Sequence, residues 1–174
     1  SPDEWLKTLK PDTVIAFFGF NESFNGPEGI PNFRGELTGY VKHLKASTYN
    51  KRPPQVVLVS PTAFQDLSKT YNTPDGVTEN QNLAAYADVV AAVAKSEGVA
   101  FVDLFNPTKA WFAAGKEALT VDGALLNDRG YKKLAPVLAG ALYGGRAANA
   151  ETQAPLLKQV RDKNWYWHNY FKIP

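Results

Sequence analysis

Three short, nearly continuous apolar runs constrain the fold more than any other feature of the sequence. They cover residues 14–20, 55–61 and 99–104. Strands that are covered on both faces have this pattern, whereas strands with one face in water alternate apolar and polar residues. Segments with apolar residues at helical spacing separate the three runs. The sequence therefore predicts an α/β fold with a parallel sheet and right-handed helical crossovers.

Four helices are predicted around these strands. The second has a clear apolar stripe between Leu83 and Ala94, with Thr78 and Gln81 as a predicted capping box and Gly98 as its end. The others are expected over residues 33–44, over residues 109–115 and after Asn127, where Pro136 argues against a helix in the first half. The polar stretch 62–78 is expected to be a long loop on the carboxyl edge of the sheet, either a lid or a surface insertion.

The last thirty residues differ from the rest, so two parts are expected: an α/β domain over 1–145 and an aromatic-rich helical arm over 146–174. Residues 144–150 resemble a linker, residues 151–164 have helical spacing, and five aromatic residues follow between 165 and 171. Flat rings suit stacking on carbohydrate, but packing of the arm on this domain or on a partner is the favoured reading.

Composition excludes several classes of function. The 174 residues include no cysteine, which excludes disulfides, zinc–thiolate sites, iron–sulfur clusters and a thiol nucleophile. The net charge of +2 is small and its residues are scattered, so no nucleic-acid partner is expected. No run is long and apolar enough for a membrane span, and no cofactor or metal is predicted. Because methionine is also absent, we expect Ser1 to follow a cleavage or an upstream segment.

The residues after the first apolar run are the strongest candidates for a site. Gly19 and Asn21 follow that strand at the carboxyl edge of the predicted sheet, where open α/β proteins bind ligands. A glycine there permits a tight turn and the close approach of a substrate atom. An asparagine side chain can donate to a developing oxyanion. A second candidate stretch, residues 120–131, contains Asp122 just before the last predicted helix of the domain.

These stretches carry a family resemblance. Gly19-Phe20-Asn21-Glu22 resembles the Gly-x-Asn-Asp block of the SGNH hydrolases, also called GDSL-type esterases, and Asp122 to Leu125 stands where that family has Asp-x-x-His. The order of elements between them is also similar. The resemblance implies a flavodoxin-like, three-layer α/β/α fold and serine-dependent hydrolysis of acyl esters, including esters of carbohydrates. It favours an exported, periplasmic or extracellular location, which the residues themselves do not indicate.

Roles can be carried over only where residues match. By this resemblance Asn21 is the oxyanion donor, Asp122 the acid of the triad, Glu22 a loop-ordering group in place of the family's Asp, and Gly19 a turn former. Ser23 lies beside this block and is a candidate substrate-binding residue, as is Leu125. Neither Ser23 nor Ser60, which ends the second run, has the family's nucleophile context.

The departures from the family pattern are chemically serious. Leu125 occupies the place of the histidine and cannot accept a proton, and no Gly-Asp-Ser block is present. Of the two histidines, His43 is expected to face solvent on a helix, and His168 lies in the aromatic tail, from which it could fold back over the sheet edge. We therefore expect a chain of hydrolase ancestry with impaired or no activity. The alternatives are a hydrolase whose nucleophile lies outside these residues and a degenerate binding or assembly module.

The resemblance also implies that the chain lacks the first two strands of the family's sheet. The 14–20 strand would then lie at an apolar edge, and such an edge readily pairs with another strand. We expect an upstream segment or another protein chain to pair with it.

Overall fold

The computed structural model describes residues 2–115, 117–144 and 150–171. In chain order the regular elements are α1 (Pro2–Leu9), β1 (Thr13–Phe17), α2 (Ile30–Ala46), β2 (Gln55–Val59), α3 (Val77–Glu97), β3 (Ala100–Val102), α4 (Phe105–Ala113), α5 (Asp128–Tyr143) and α6 (Ala150–Phe171), with two 3-10 turns at Glu22–Asn25 and Pro27–Gly29. None of the described helices combines the length and the apolarity that crossing a bilayer requires.

The strands form a parallel sheet in the order β1-β2-β3, which confirms the predicted α/β class. In the register of this sheet, Phe17 pairs with Val59 and Val59 with Val102. The first strand is shorter than the predicted 14–20 run. It ends at Phe17 because Gly19 turns the chain at a φ of +104° and the 3-10 turn begins at Glu22.

Helices cover both faces of the sheet, so the fold has three layers. Ala16, Val56 and Leu58 point to one face and pack in a core with buried residues of α2 and α3. Val57, Val59, Val102 and Leu104 form a second core with Leu134 of α5. Side chains alternate between the faces of a strand, so the central strand β2 supplies both cores.

The edge strand β1 is covered on one face only. By the strand register, Ile15 and Phe17 point to the same side as Val57 and Val59, where α5 lies. Yet Ile15 is 37% exposed and Phe17 57% exposed, whereas Val59 is fully buried. Among the described residues, β1 pairs with β2 and with no other strand.

The helices differ from the predictions in three respects. Gly76 precedes α3 and Thr78 lies inside it, so the predicted capping box does not form, although Gly98 ends this helix in the left-handed conformation. The helix α5 begins at the Asn127 cap and continues through Pro136, which was expected to disrupt its first half. The helix α1 was not predicted at all.

The aromatic tail is one continuous helix. The helix α6 extends through residues 165–171, where the sequence predicted helical spacing only to residue 164. The described aromatic side chains of α6 are exposed, so they do not pack on the α/β domain. Most of the predicted linker 144–150, and the predicted boundary at 145/146, lie outside the described residues.

Candidate functional site

A cavity of about 560 Å³ opens at the carboxyl edge of the sheet. Its walls come from four parts of the chain: Phe17 and Asn21 at the end of β1 and beyond, Pro61 after β2, Leu104 after β3, and Leu125 and Tyr131 around the start of α5. The two candidate stretches of the sequence, around residues 21 and 125, therefore meet at one cavity. Most of its lining is apolar, and a volume of this size is typical of small-molecule sites.

The loop after β1 is ordered by its own hydrogen bonds. The Gly19 N–H donates to Glu22 Oε2 at 2.8 Å. Gly19 has a positive φ, and a Cβ atom added there would lie 3.2 Å from the ring of Pro61. Glycine therefore suits both the turn and the close approach of Pro61. Because its N–H is already bonded to Glu22, Gly19 does not present a free donor to the cavity.

Asn21 is the donor that remains available. Its side chain is exposed at the cavity wall, and among the described residues its amide makes no hydrogen bond within the chain. A primary amide has two N–H donors, so Asn21 can bind a carbonyl oxygen or an oxyanion without breaking an existing contact.

The two serines near this edge are engaged elsewhere. Ser23 is buried and its hydroxyl donates to the Phe20 carbonyl at 2.6 Å, outside the cavity lining. Ser60 borders the cavity but is also buried. Its Oγ accepts from the N–H groups of Leu104 at 2.8 Å and Phe105 at 3.0 Å, at the start of α4. Neither hydroxyl has a histidine beside it.

The segment that holds Asp122 forms a tight turn. Asp122 Oδ1 accepts hydrogen bonds from the N–H groups of Ala124 at 2.9 Å and Leu125 at 2.7 Å. The Asp122 side chain does not line the cavity, whereas Leu125 does and is 62% exposed. The carboxylate therefore stabilises its own turn, and a hydrocarbon side chain faces the cavity.

Both histidines lie away from the cavity lining. His43 Nε2 lies 2.9 Å from Asp3 Oδ1, and the Tyr49 hydroxyl donates to the same oxygen at 2.7 Å. This cluster ties α1 to α2. The hydrogen bond with His43, followed by the one from Tyr49, lowers the pKa of the Asp3 carboxyl below its ordinary value. His168 is exposed on α6 and does not fold back over the sheet edge.

Gln65 is a site-positioning residue that sequence reasoning missed. It is buried, and its Oε1 accepts from the N–H groups of Leu119 at 2.9 Å and Thr120 at 3.0 Å, while its Nε2 donates to the Glu117 carbonyl at 2.9 Å. These bonds fix the segment that leads to Asp122. A glutamine in a polar loop has no distinctive sequence pattern, so no signal pointed to it.

Two asparagines hold the neighbouring loops. Asn80 of α3 makes two hydrogen bonds with the backbone of Phe64, at 2.8 and 2.9 Å. Asn127 caps α5 by accepting from the N–H groups of Arg129 and Gly130, both at 3.0 Å. Asn127 was visible in the sequence because asparagine is a preferred cap before a helical stripe.

The groups that line the cavity can bind a ligand and polarise it. Within residues 2–115, 117–144 and 150–171, no three His, Asp or Glu side chains are grouped so that they could hold a metal ion. The cavity offers an amide donor at Asn21, the carboxylate of Glu22 and apolar walls. It has no histidine to accept a proton from a nucleophile.

Comparisons with known proteins bear on this geometry. The sequence profile of the GDSL-like lipase/acylhydrolase family matches residues 2–133. No curated protein sequence matches the chain significantly.

Several solved structures have a similar fold. A catalytic variant of Axe2, an acetylxylan esterase from Geobacillus stearothermophilus, is 16% identical with a TM-score of 0.64, over 84% of this chain and 66% of that one. A lipase/acylhydrolase from Enterococcus faecalis is 19% identical with a TM-score of 0.57, over 81% and 67%. The acetyl xylan esterase AlAXEase is 18% identical with a TM-score of 0.60, over 80% and 71%. This chain thus spans slightly less than two thirds of Axe2.

Proposed function

Because the chain belongs to the GDSL-like lipase/acylhydrolase family, we propose that its cavity binds a small acyl ester and that the chain as given does not hydrolyse it. The observation that carries the proposal is Leu125, an exposed hydrocarbon at the cavity wall in the position of the family's histidine. The names of the acetylxylan esterases with a similar fold favour an ester carried on carbohydrate as one form of this ligand.

Asn21 and the apolar walls of the cavity suit the two ends of a small ester. The free amide of Asn21 can donate to the ester carbonyl, while Phe17, Leu125 and Tyr131 accommodate the apolar part of the ligand. A neutral hydrogen bond of this kind contributes about 0.5–1.5 kcal/mol net. Loss of the Asn21 amide is therefore expected to weaken ester binding about threefold to tenfold.

Among the described residues, the groups that a serine mechanism needs are either missing or engaged elsewhere. The hydroxyl of Ser60 accepts two backbone N–H groups, Asp122 is bonded into its own turn, and Leu125 cannot act as a base. Removing the serine or the histidine from a catalytic triad lowers kcat by about 10⁶. The donor that remains at Asn21 would not make such a site a useful enzyme.

The experiment measures both properties on the same protein. We expect p-nitrophenyl acetate to be hydrolysed at the rate of buffer alone, and calorimetry to detect ester binding that Asn21→Ala weakens. The matched control is Asn25→Ala, because Asn25 is exposed at the end of the 3-10 turn that Asn21 precedes but does not line the cavity. Hydrolysis that disappears with Asn21→Ala would contradict the inactivity, and binding that is equal in both variants would contradict the ester site.

A second candidate function is a hydrolase whose serine lies on a segment outside the given residues. The exposed face of β1 and its edge, which pairs with no further strand within the described residues, favour this alternative, since β1 borders the cavity at Phe17. The same segment, or another chain, would pair with β1. Intact mass and N-terminal sequencing of the purified native protein would detect such a segment. Ester hydrolysis by that longer protein, lost with Asn21→Ala, would support this function over the binding module.

A further inference from the structure

The helix α6 has one apolar face that no part of the described chain covers. At 3.6 residues per turn, Leu156, Leu157, Val160, Trp167 and Phe171 fall on the same side of this helix. They occupy the a, d and e positions that are typical of a packing face. Between residues 153 and 171, every side chain except that of Asp162 is exposed.

The side chains on this face differ in size between the two halves of the helix. Its first half is aliphatic, with Leu156, Leu157 and Val160, and its second half is aromatic. In the second half, the rings of Trp167 and Phe171 lie 4.2 Å apart and those of Tyr170 and Phe171 lie 4.9 Å apart. The aromatic cluster is thus formed within one helix, before any partner binds. Lys163 and Asn164 separate the two halves.

We propose that α6 pairs with α6 of a second copy of this chain in an antiparallel arrangement. The axis of the pair lies between residues 163 and 164, so Val160 meets Trp167 of the partner subunit and Leu156 meets Phe171 of the partner subunit. Each small aliphatic half then faces a large aromatic half. A parallel pair would place large rings on large rings and leave the aliphatic halves loosely packed. Antiparallel pairing is two-fold symmetric and closes after two copies.

The area available is sufficient for a specific dimer. A buried aromatic side chain contributes about 150–250 Å². Trp167, Tyr170 and Phe171 are 65%, 82% and 56% exposed, so from two helices they supply about 600–1,000 Å². The exposed parts of Leu156, Leu157 and Val160 add to this. Specific interfaces begin near ~1,200 Å² of total buried surface.

The polar centre of the face favours a protein partner over a lipid surface. Lys163 and Asn164 would be left without partners in hydrocarbon, which is costly for polar groups. In the antiparallel pair, Asn164 lies opposite Lys163 of the partner subunit and can accept a hydrogen bond from its ammonium group. Trp165 and Tyr166 lie largely on the opposite side of the helix and stay in water in either case.

Two tryptophans of nearly equal exposure provide a matched test. Trp167 is 65% exposed on the proposed face, and Trp165 is 62% exposed on the other side of the same helix, about 160° away. We expect the full chain to sediment as a dimer. Trp167→Glu should weaken dimerisation at least about 100-fold, as expected for a central aromatic residue, and Trp165→Glu should leave it unchanged. Neither ring packs on the α/β domain, so circular dichroism should show both variants folded.

The outcomes separate the alternatives. A wild-type chain that remains monomeric at about 100 μM would overturn the proposal. A dimer that survives Trp167→Glu, or that Trp165→Glu also disrupts, would overturn the choice of face. Binding of the monomer to vesicles of anionic lipid, with no dimer in solution, would identify a membrane surface as the occupant and reject the second copy.

Orientation is tested with single cysteines, since these 174 residues contain none. In the antiparallel pair, two copies of residue 157 lie about 20 Å apart along the axis, beyond the reach of a disulfide. A mixture of Leu157→Cys and Tyr170→Cys should form a mixed disulfide, and Leu157→Cys alone should not. Cross-linking of Leu157→Cys with itself would instead establish a parallel pair and contradict the antiparallel one.

Discussion

At the level of single residues, the cavity wall is defined by the Leu125 side chain and by the contacts of the turn that carries it. Asp122 Oδ1 accepts hydrogen bonds from the backbone N–H groups of Ala124 and Leu125, and in the proposed correspondence with the family's Asp-x-x-His block it has no imidazole to orient. The leucine at position 125 and the missing Gly-Asp-Ser block could be read directly from the sequence. The hydrogen bonds of Asp122 within its own turn could not be predicted, because an aspartate side chain can either bond to the backbone two residues on or orient a histidine.

Substitution of Gly130 tests how tightly the start of α5 packs against Leu119 and Leu126. A Cβ atom at Gly130 would collide with the backbone carbonyl of Leu119, which accepts a hydrogen bond from Asn127. Gly130→Ala is expected to destabilise the fold by about 1–3 kcal/mol, as overpacking does in a well-filled core. The control is Gly39→Ala in α2, where nothing lies within 4 Å of the added atom. Alanine is the better helix former there, so a gain of up to about 1 kcal/mol is expected in urea unfolding. Equal effects of the two substitutions would contradict the close packing at Gly130.

At the level of elements, the strands were the most predictable part and the connections the least. Each predicted run overlaps a strand, as expected for short continuous apolar runs, although one face of β1 is exposed. The Thr78–Gln81 capping box was wrong because the preceding loop is held by Asn80 and Gly76, so α3 starts before Thr78. The positioning role of Gln65 depends on contacts with residues more than fifty positions away, which local patterns do not contain.

The hydrogen-bonded cluster of Asp3, His43 and Tyr49 joins α1 to α2, and it is expected to make the stability of the fold depend on pH. The pKa of Asp3 is lowered from 3.8 by its contact with His43 and then by Tyr49. A folded-state pKa below the unfolded value means that the charged carboxylate stabilises the fold above pH 3.8 and that this contribution is lost as the pH falls through the lower folded value. We expect Asp3→Asn to lower the unfolding free energy at neutral pH and this difference to shrink below pH 3.8.

The measurement is chemical unfolding of both proteins across that pH range. Tyr49→Phe removes the second contact only and should give a smaller difference than Asp3→Asn. A difference that grows as the pH is lowered through 3.8 would contradict the assigned direction of the shift.

For the whole molecule, helices lie on both faces of the sheet, but one face of β1 is left exposed. The cores between the sheet and α2, α3 and α5 are formed within the chain, while β1 keeps one edge unpaired and one face exposed among the described residues. The cavity lies against that edge through Phe17. A segment that completes the sheet at β1 would therefore also lie beside the cavity. Pairing of β1 with an upstream segment or another chain stays a prediction.

A pair of lysine substitutions at neighbouring strand positions tests whether this face of β1 is exposed. Phe17 and Val59 are partners in the register and point to the same face, but Phe17 is 57% exposed and Val59 fully buried. In the chain as given, Phe17→Lys should change the unfolding free energy by less than about 1 kcal/mol, whereas Val59→Lys buries a charge and should cost more than about 4 kcal/mol. When the pairing segment is present, Phe17 becomes covered and Phe17→Lys should also become strongly destabilising, which urea unfolding of the two forms would measure. A large loss of unfolding free energy for Phe17→Lys in the chain alone would show that this face of β1 is already covered. A small loss in both forms would show that the added segment does not cover this face.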